Sequence, residues 1–307
     1  MIQYFKNIDG NTEETDKVEN GIWVNIVPPF KEEEFIEISE QLNIPIEFLK
    51  DSLDIDERSR YDEHDNVKLF VIKTPTENNS FNESDAHYIT IPVCIILSHN
   101  HIVTVNSFDN VAIKRFLASF KEYQSDRKRK MTLRIFDKVV QTYLDYLKDI
   151  NHKRNHFEQN LYKQHNNEDL IQLMRLQKSL VYYVTALRSN ELLMMKLLKG
   201  SFLHLSDEEK DYLEDIIVDN SQALEMANIY TNILDSTLNT FSAMVQNSKF
   251  KLHKQIGALL GLVGIPYLFF TVLTNGMILS GHWLSFLLFM IVLSLGGGVG
   301  YWFLKRK

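Results

Sequence analysis

The spacing of hydrophobic residues divides the chain into three regimes. In the first, short runs alternate between strand and helix periods. Residues 22–27 (Ile-Trp-Val-Asn-Ile-Val) read as a strand stopped by Pro28-Pro29. Phe35, Ile38 and Leu42 fall at helical spacing, which predicts a helix over 32–42, and Pro45 opens a further short helix. Residues 66–74 predict a strand with Val67, Leu69 and Val71 on one face, followed by a polar loop through Asp85. Residues 88–97 and 101–106 predict a strand pair joined at Ser98-His99-Asn100, and 110–123 a helix. Residues 1–20 show no clear period.

After Ser125 the period becomes that of long helices. Phe136, Val140, Tyr143, Leu147, Ile150, Phe157 and Leu161 form a heptad seam, broken at His165-Asn166-Asn167. Leu170, Leu173, Leu180, Val184, Leu187, Met194 and Leu198 repeat it, which predicts an antiparallel helical hairpin ended by Gly200. Ser206 with Glu209 three residues later is a capping box that starts a third helix. Its seam runs through Leu213, Ile217, Leu224, Ala227, Leu234, Leu238, Phe241, Val245 and Leu252. No Pro or Gly intervenes before Gly257, so one helix of ~100 Å is expected to reach about Thr274.

The third regime is apolar. Two uncharged runs, 256–274 and 283–303, flank a short connector. Each matches the ~30 Å hydrocarbon thickness of a bilayer as a helix. The expected organisation is therefore an α/β domain (1–125), a helical hairpin (126–205), a stalk helix (206–255) continuous with a first span (256–275), an outer loop (276–282), a second span (283–303) and a basic tail (304–307). The fold class is an α+β domain followed by long coiled helices and a C-terminal two-helix transmembrane hairpin.

Charge orients this arrangement. The formal net charge is −7, but residues 1–248 hold 27 Lys/Arg against all 40 Asp/Glu, and residues 249–307 hold six Lys/Arg and no acid. Lys249, Lys251 and Lys254 precede the first run and Lys305, Arg306 and Lys307 follow the second, while the connector has no Lys or Arg. The positive-inside rule puts both termini in the cytoplasm of a multi-pass cell-membrane protein. The acidic body argues against nucleic acid as a partner. A lone Cys94 excludes a disulfide framework. There is no phosphate-binding Gly-x-x-x-x-Gly-Lys-Ser/Thr loop, and no nucleophile–base or metal-ligand spacing indicates an enzyme.

Candidate chemistry lies at the ends of the first run. Asn275, Gly276 and Met277 form the turn where helix carbonyls lose their partners and carry partial negative charge. A ring of such ends, with Asn275 amide oxygens, suits a hydrated cation. The plain alternative is that Asn-Gly is a good turn. Pro266 within the run frees a carbonyl and kinks the helix. Gly257/Gly261 and Gly296/Gly300 read first as ordinary close packing of membrane helices. A single two-helix hairpin cannot enclose a pore, so conduction requires several copies.

The chain resembles the CorA family of divalent-cation transporters. The resemblance rests on residues 44–61 followed by 67–72, on 91–97 followed by 101–105, and on the long C-terminal helix, Pro266, the short outer loop and the basic tail. It implies a homopentamer with a funnel-shaped cytoplasmic domain, a pore lined by the first span, and gating by Mg²⁺ held between subunits. Asp219, Glu225 and Asp235 on the stalk and Asp54 and Asp56 in the first domain are the candidate regulatory acids; for any one of them, a solvated surface acid is the plainer reading. The lipid bilayer, divalent cations and copies of the chain are the implied partners. The cation is substrate and regulatory ligand, with no resident cofactor.

The chain departs from the family signature Gly-Met-Asn. Gly276 and Met277 match, but Ile278 stands where Asn is expected, and Asn275 precedes the glycine. At the inner pore Asn247 matches the first of an Asn pair, while Phe250 or Lys251 occupies the second position. These departures keep two other readings open: a zinc or weakly selective cation transporter, and a non-conducting membrane-anchored scaffold.

Overall fold

The computed structural model describes residues 1–8, 11–15, 21–29, 32–78, 85–99, 101–108, 110–120, 128–164, 167–200, 202–276 and 291. The chain divides into two compact units, Met1–Ser236 and Thr237–Lys307.

The first unit is built on a seven-stranded sheet. Its strands are β1 (Ile2–Ile8), β2 (Asn11–Thr15), β3 (Trp23–Ile26), β4 (Arg60–His64), β5 (Val67–Glu77), β6 (Tyr88–Leu97) and β7 (Ile102–Asn106), in the order β2-β1-β3-β7-β6-β5-β4. β3 and β7 pair in parallel, Trp23 opposite Ile102; the other pairs are antiparallel. The expected strands are present, and β5 continues past Thr74 to Glu77. Two elements are additional. The β1–β2 hairpin occupies a stretch that shows no clear period, and β4 is a polar edge strand.

Helices cover both faces of the sheet. Ile22 and the alternating residues Val24 and Ile26 of β3, with Val67, Leu69, Cys94, Ile96, Val103 and Val105, pack against α1 (Glu32–Leu42) and α2 (Ile46–Lys50). α1 has the predicted bounds and buries the predicted Phe35, Ile38 and Leu42. The other face of β3 presents Trp23, whose ring meets Phe116 of α3 (Val111–Phe120) edge-on at 5.3 Å. α3 and α5 (Asn167–Lys199) pack with α4 (Lys128–Gln164), and α4 and α5 cover β5 on that side.

The α4–α5 pair is antiparallel, as the two seams predict. Tyr143 and Tyr183 meet edge-on at 5.1 Å with both rings fully buried. Ser206 and Glu209 form the predicted capping box at the start of α6 (Asp207–Gly276): the Ser206 N–H donates to Glu209 Oε2 at 2.9 Å and the Glu209 N–H to Ser206 Oγ at 3.3 Å. α6 then runs back along α5, with Asn220 Nδ2 donating to the Leu187 carbonyl at 3.0 Å. Its buried stripe is Leu213, Ile216, Asn220, Ala223 and Ala227, with Ile217 and Leu224 only half-buried. Of the predicted seam, Leu213, Ala227, Leu234 and Phe241 are buried, and Ile216, Asn220 and Ala223 beside them complete the stripe.

Candidate functional site

In the second unit α6 continues from Thr237 to Gly276, two residues past the Thr274 at which the sequence places its end. Helix continuity follows from the sequence, since Pro266 is its only proline. Side chains are described as far as Leu268. Phe250, Leu252, Leu259, Leu260, Val263, Ile265, Tyr267 and Leu268 are each more than half exposed. A helix apolar on all sides belongs against lipid or other helices. A Cβ at Gly257 would meet nothing within 4 Å, so no contact among the described residues demands that glycine. Among the described residues no helix is long and apolar enough to cross a membrane. The uncharged run 256–274 is described in its side chains only over its first part.

The expected pore residues are placed unevenly. Asn247 is exposed on α6, and Pro266 is buried within it. Lys251, Asn275 and Gly276 lie on the same helix, Asn275 and Gly276 in its last turn. Met277, the rest of the outer loop, all of the second span except Ile291, and the basic tail fall outside the described residues.

The candidate regulatory acids are dispersed. On α6, Asp219 is half-buried and Glu225 exposed, while Asp235 is exposed and accepts a hydrogen bond from Gln177. Asp54 and Asp56 are exposed, and Asp54 Oδ1 accepts the Asp56 N–H at 2.9 Å. No group of three or more His, Cys, Asp or Glu among the described residues is placed to hold a metal ion.

The loop that carries Asp54 and Asp56 is held from both sides. Arg60 reaches Asp51 at 2.5 Å, Glu57 at 2.9 Å and Asp62 at 2.7 Å. Burial pushes the Asp51 carboxyl above its ordinary range against the pull of Arg60. From β5, the Lys73 ammonium donates to the Ile55 carbonyl. Burial depresses the Lys73 pKa, against the attraction of Asp56, Asp54 and Glu57. Nothing in the periodicity singles out Lys73. It lies on a strand, and its role depends on where the 51–57 segment folds.

The CorA-like Mg²⁺ transporter description matches residues 19–306. The chain belongs to the CorA-like family. Among curated relatives, the cobalt/magnesium transport protein CorA of Methanocaldococcus jannaschii is 26% identical over 223 residues, 71% of this chain and 68% of the relative. The complete structure of the CorA magnesium transporter from that organism superposes with a TM-score of 0.83 at 19% identity, over 100% of this chain and 98% of the other. The ZntB cytoplasmic domain of Vibrio parahaemolyticus superposes with a TM-score of 0.60 at 12% identity, over 81% of this chain and 98% of that domain. These structural likenesses establish the fold: an α+β domain followed by long helices. The family match establishes a CorA-like metal-ion transporter.

Proposed function

We propose that the chain is the protomer of a homopentameric cell-membrane channel that passes a divalent cation, Mg²⁺ or Co²⁺, passively inward. The observation that carries this reading is α6 itself. One helix leads from a capped start beside the sheet into a segment with apolar side chains exposed all round. Five such helices around an axis would bury those side chains against each other, the second spans and lipid. The Asn275-Gly276-Met277 turns would then ring the outer mouth, with Asn247 and Lys251 toward the inner end.

A potential of 100 mV, inside negative, favours entry of a double charge by roughly 4.6 kcal/mol, so no nucleotide-driven step is needed. In this scheme Mg²⁺ bound between Asp219, Glu225 or Asp235 of one copy and Asp54 or Asp56 of the next holds the stalks closed, and its loss releases them. The dispersal of these acids within one copy fits a site completed by a neighbour. Uptake into proteoliposomes loaded with a Mg²⁺-sensitive dye tests the reading. Flux no greater than that of empty vesicles under an inward gradient sinks it.

Ile278 and Lys251 favour a second reading, a pore of altered selectivity such as one for zinc. A lysine facing the axis would repel divalent ions at close range. Flux of Mg²⁺, Zn²⁺, Co²⁺ and Na⁺ in one assay separates the two, and strong dominance of Mg²⁺ eliminates the second.

A further inference from the structure

α5 carries a second seam, apart from the residues that meet α6. Ile171, Met174, Val181, Leu192 and Met195 are exposed, Leu192 by 65%. They fall on the alternating three- and four-residue step of a coiled coil, and every position on that step from 171 to 199 is exposed. α5 meets α6 elsewhere: the Leu187 carbonyl accepts from Asn220, Glu191 accepts from Ser221, and Gln177 donates to Asp235.

α6 carries a matching seam on its far side. Val218 and Gln222 stand two residues either side of Asn220, roughly 200° round the helix from it. Val218 is 64% and Ile229 47% exposed, and the other positions on that step from 211 to 236 are exposed as well. Apolar side chains repeated at this step along an open helix face fit another helix.

The two seams are complementary in charge. The α5 seam holds Arg188, Lys199 and Lys178, the last of them paired with Asp85, and no acid. The α6 seam holds Asp211, Asp215 and Glu225, and α6 has no Lys or Arg between Lys210 and Lys249. Each seam therefore suits the other better than it suits itself, and a second copy of the chain supplies the match.

Levels within one copy fix the register. The contacts of Gln177 with Asp235, Leu187 with Asn220 and Glu191 with Ser221 set α5 antiparallel to α6 at known heights. On that scale Leu192 is level with Val218, Val181 with Ile229 and Lys199 with Asp211, each to within about one turn. Rotation about an axis along α6 leaves every height unchanged. The same levels then hold between α5 of one copy and α6 of the next.

We propose that the open seam of α5 packs on the open seam of α6 of the next copy. The register sets Leu192 against the partner's Val218 and Val181 against the partner's Ile229. This rests on the homo-oligomeric channel reading above and assigns the helices that join its copies. Glu225 then lies in the joint, within a turn of the partner's Arg188.

The test uses the full-length protein in membranes of the expressing cell. The chain's one cysteine, Cys94, is buried, so introduced thiols react on a clean background. The double variant Leu192→Cys with Val218→Cys is oxidised with copper–phenanthroline and run on a denaturing gel. A disulfide needs Cβ atoms about 4 Å apart, so this matched pair should give a ladder of linked chains. Leu192→Cys with Ile229→Cys, about 16 Å out of register, should stay a single chain. All three positions are exposed, so both variants should fold as the wild type does. A matched pair without a ladder, a disulfide confined to one chain, or equal ladders in both variants overturns the proposal. Light scattering of the wild-type protein in detergent separates this from the channel reading. A five-chain mass without the matched cross-link overturns the helix pairing alone, and a single-chain mass overturns both.

Discussion

Asn190 on α5 hydrogen-bonds both backbone groups of Lys73 on β5: Nδ2 donates to the carbonyl at 2.8 Å, and Oδ1 accepts the N–H at 3.0 Å. β4 begins opposite Val71, so beyond that point β5 has no strand on this side, and a buried side-chain amide stands in for one. Ser59 Oγ donates to the same Oδ1 at 2.6 Å, tying the loop ahead of β4 to the helix. Asn190→Leu should lower the stability of the first unit by about 2–4 kcal/mol, since it removes three hydrogen bonds and leaves the Lys73 N–H only Ser59 Oγ at 3.3 Å and the Lys73 carbonyl only the Tyr143 hydroxyl at 3.2 Å. Thermal unfolding of the full-length protein should show a midpoint roughly 5–10 °C lower. An unchanged midpoint would remove Asn190 from the account of how sheet and helices are joined.

The start of α6 gives a smaller and sharper expectation. Ser206→Ala removes one half of the reciprocal cap and should cost about 1 kcal/mol, while Ser206→Asp should retain most of the stability. Denaturant titration comparing the two variants reads the difference, and an equal loss in both would assign it to something other than capping.

Acid should weaken the fold through two histidines. Burial, and then the nearby Lys128, hold His101 below its ordinary pKa of 6.5. Burial also lowers His87, with Lys153 and Arg175 adding to the effect and Gln172 and Asp149 opposing it. In both cases the unfolded chain binds the proton more readily. Stability is therefore full above about pH 6.5 and falls as pH drops toward the depressed folded values. The unfolding midpoint should decline between about pH 7 and pH 5, and His101→Gln should flatten part of that decline. A midpoint that rises on acidification would contradict the assignment.

In the proposed channel, Ile278→Asn restores the Gly-Met-Asn order of the family signature. If the turn selects the ion, this single change should raise the ratio of Mg²⁺ to Na⁺ flux in proteoliposomes. On the same reading, Asn275→Leu should lower divalent flux by about tenfold or more, through loss of a neutral oxygen at the proposed mouth. Equal flux in all three proteins would move selectivity elsewhere along the helix.

Elements with strong periods were legible from the residues alone. α1, the α4–α5 hairpin and the Ser206–Glu209 cap come directly from apolar spacing and capping chemistry. The β1–β2 hairpin was not, because Gln3, Lys6 and Asn7 interrupt its apolar residues, although Asp9-Gly10 between two extended runs is a hairpin signal. β4 has no apolar alternation since it is an edge strand of Arg, Tyr, Asp, Glu and His, defined by register with β5. Sites assembled from distant segments were the least visible. The Lys73 bond to Ile55 leaves no local pattern, because its partners meet only once the 51–57 segment folds against β5.

The parallel pairing of β3 with β7 also bears on how the protein is made. Trp23 and Thr104, hydrogen-bonded across these strands, are 81 residues apart in sequence. On the ribosome, the N-terminal hairpin and β3 must wait for more than a quarter of the chain to emerge before the sheet can close over them. Closing so long a loop is slow and leaves an apolar strand face uncovered meanwhile. By the time the uncharged run 256–274 leaves the exit tunnel, every strand has long been available. The order of elements therefore lets the sheet-bearing unit complete itself first, before the long apolar run needs a place.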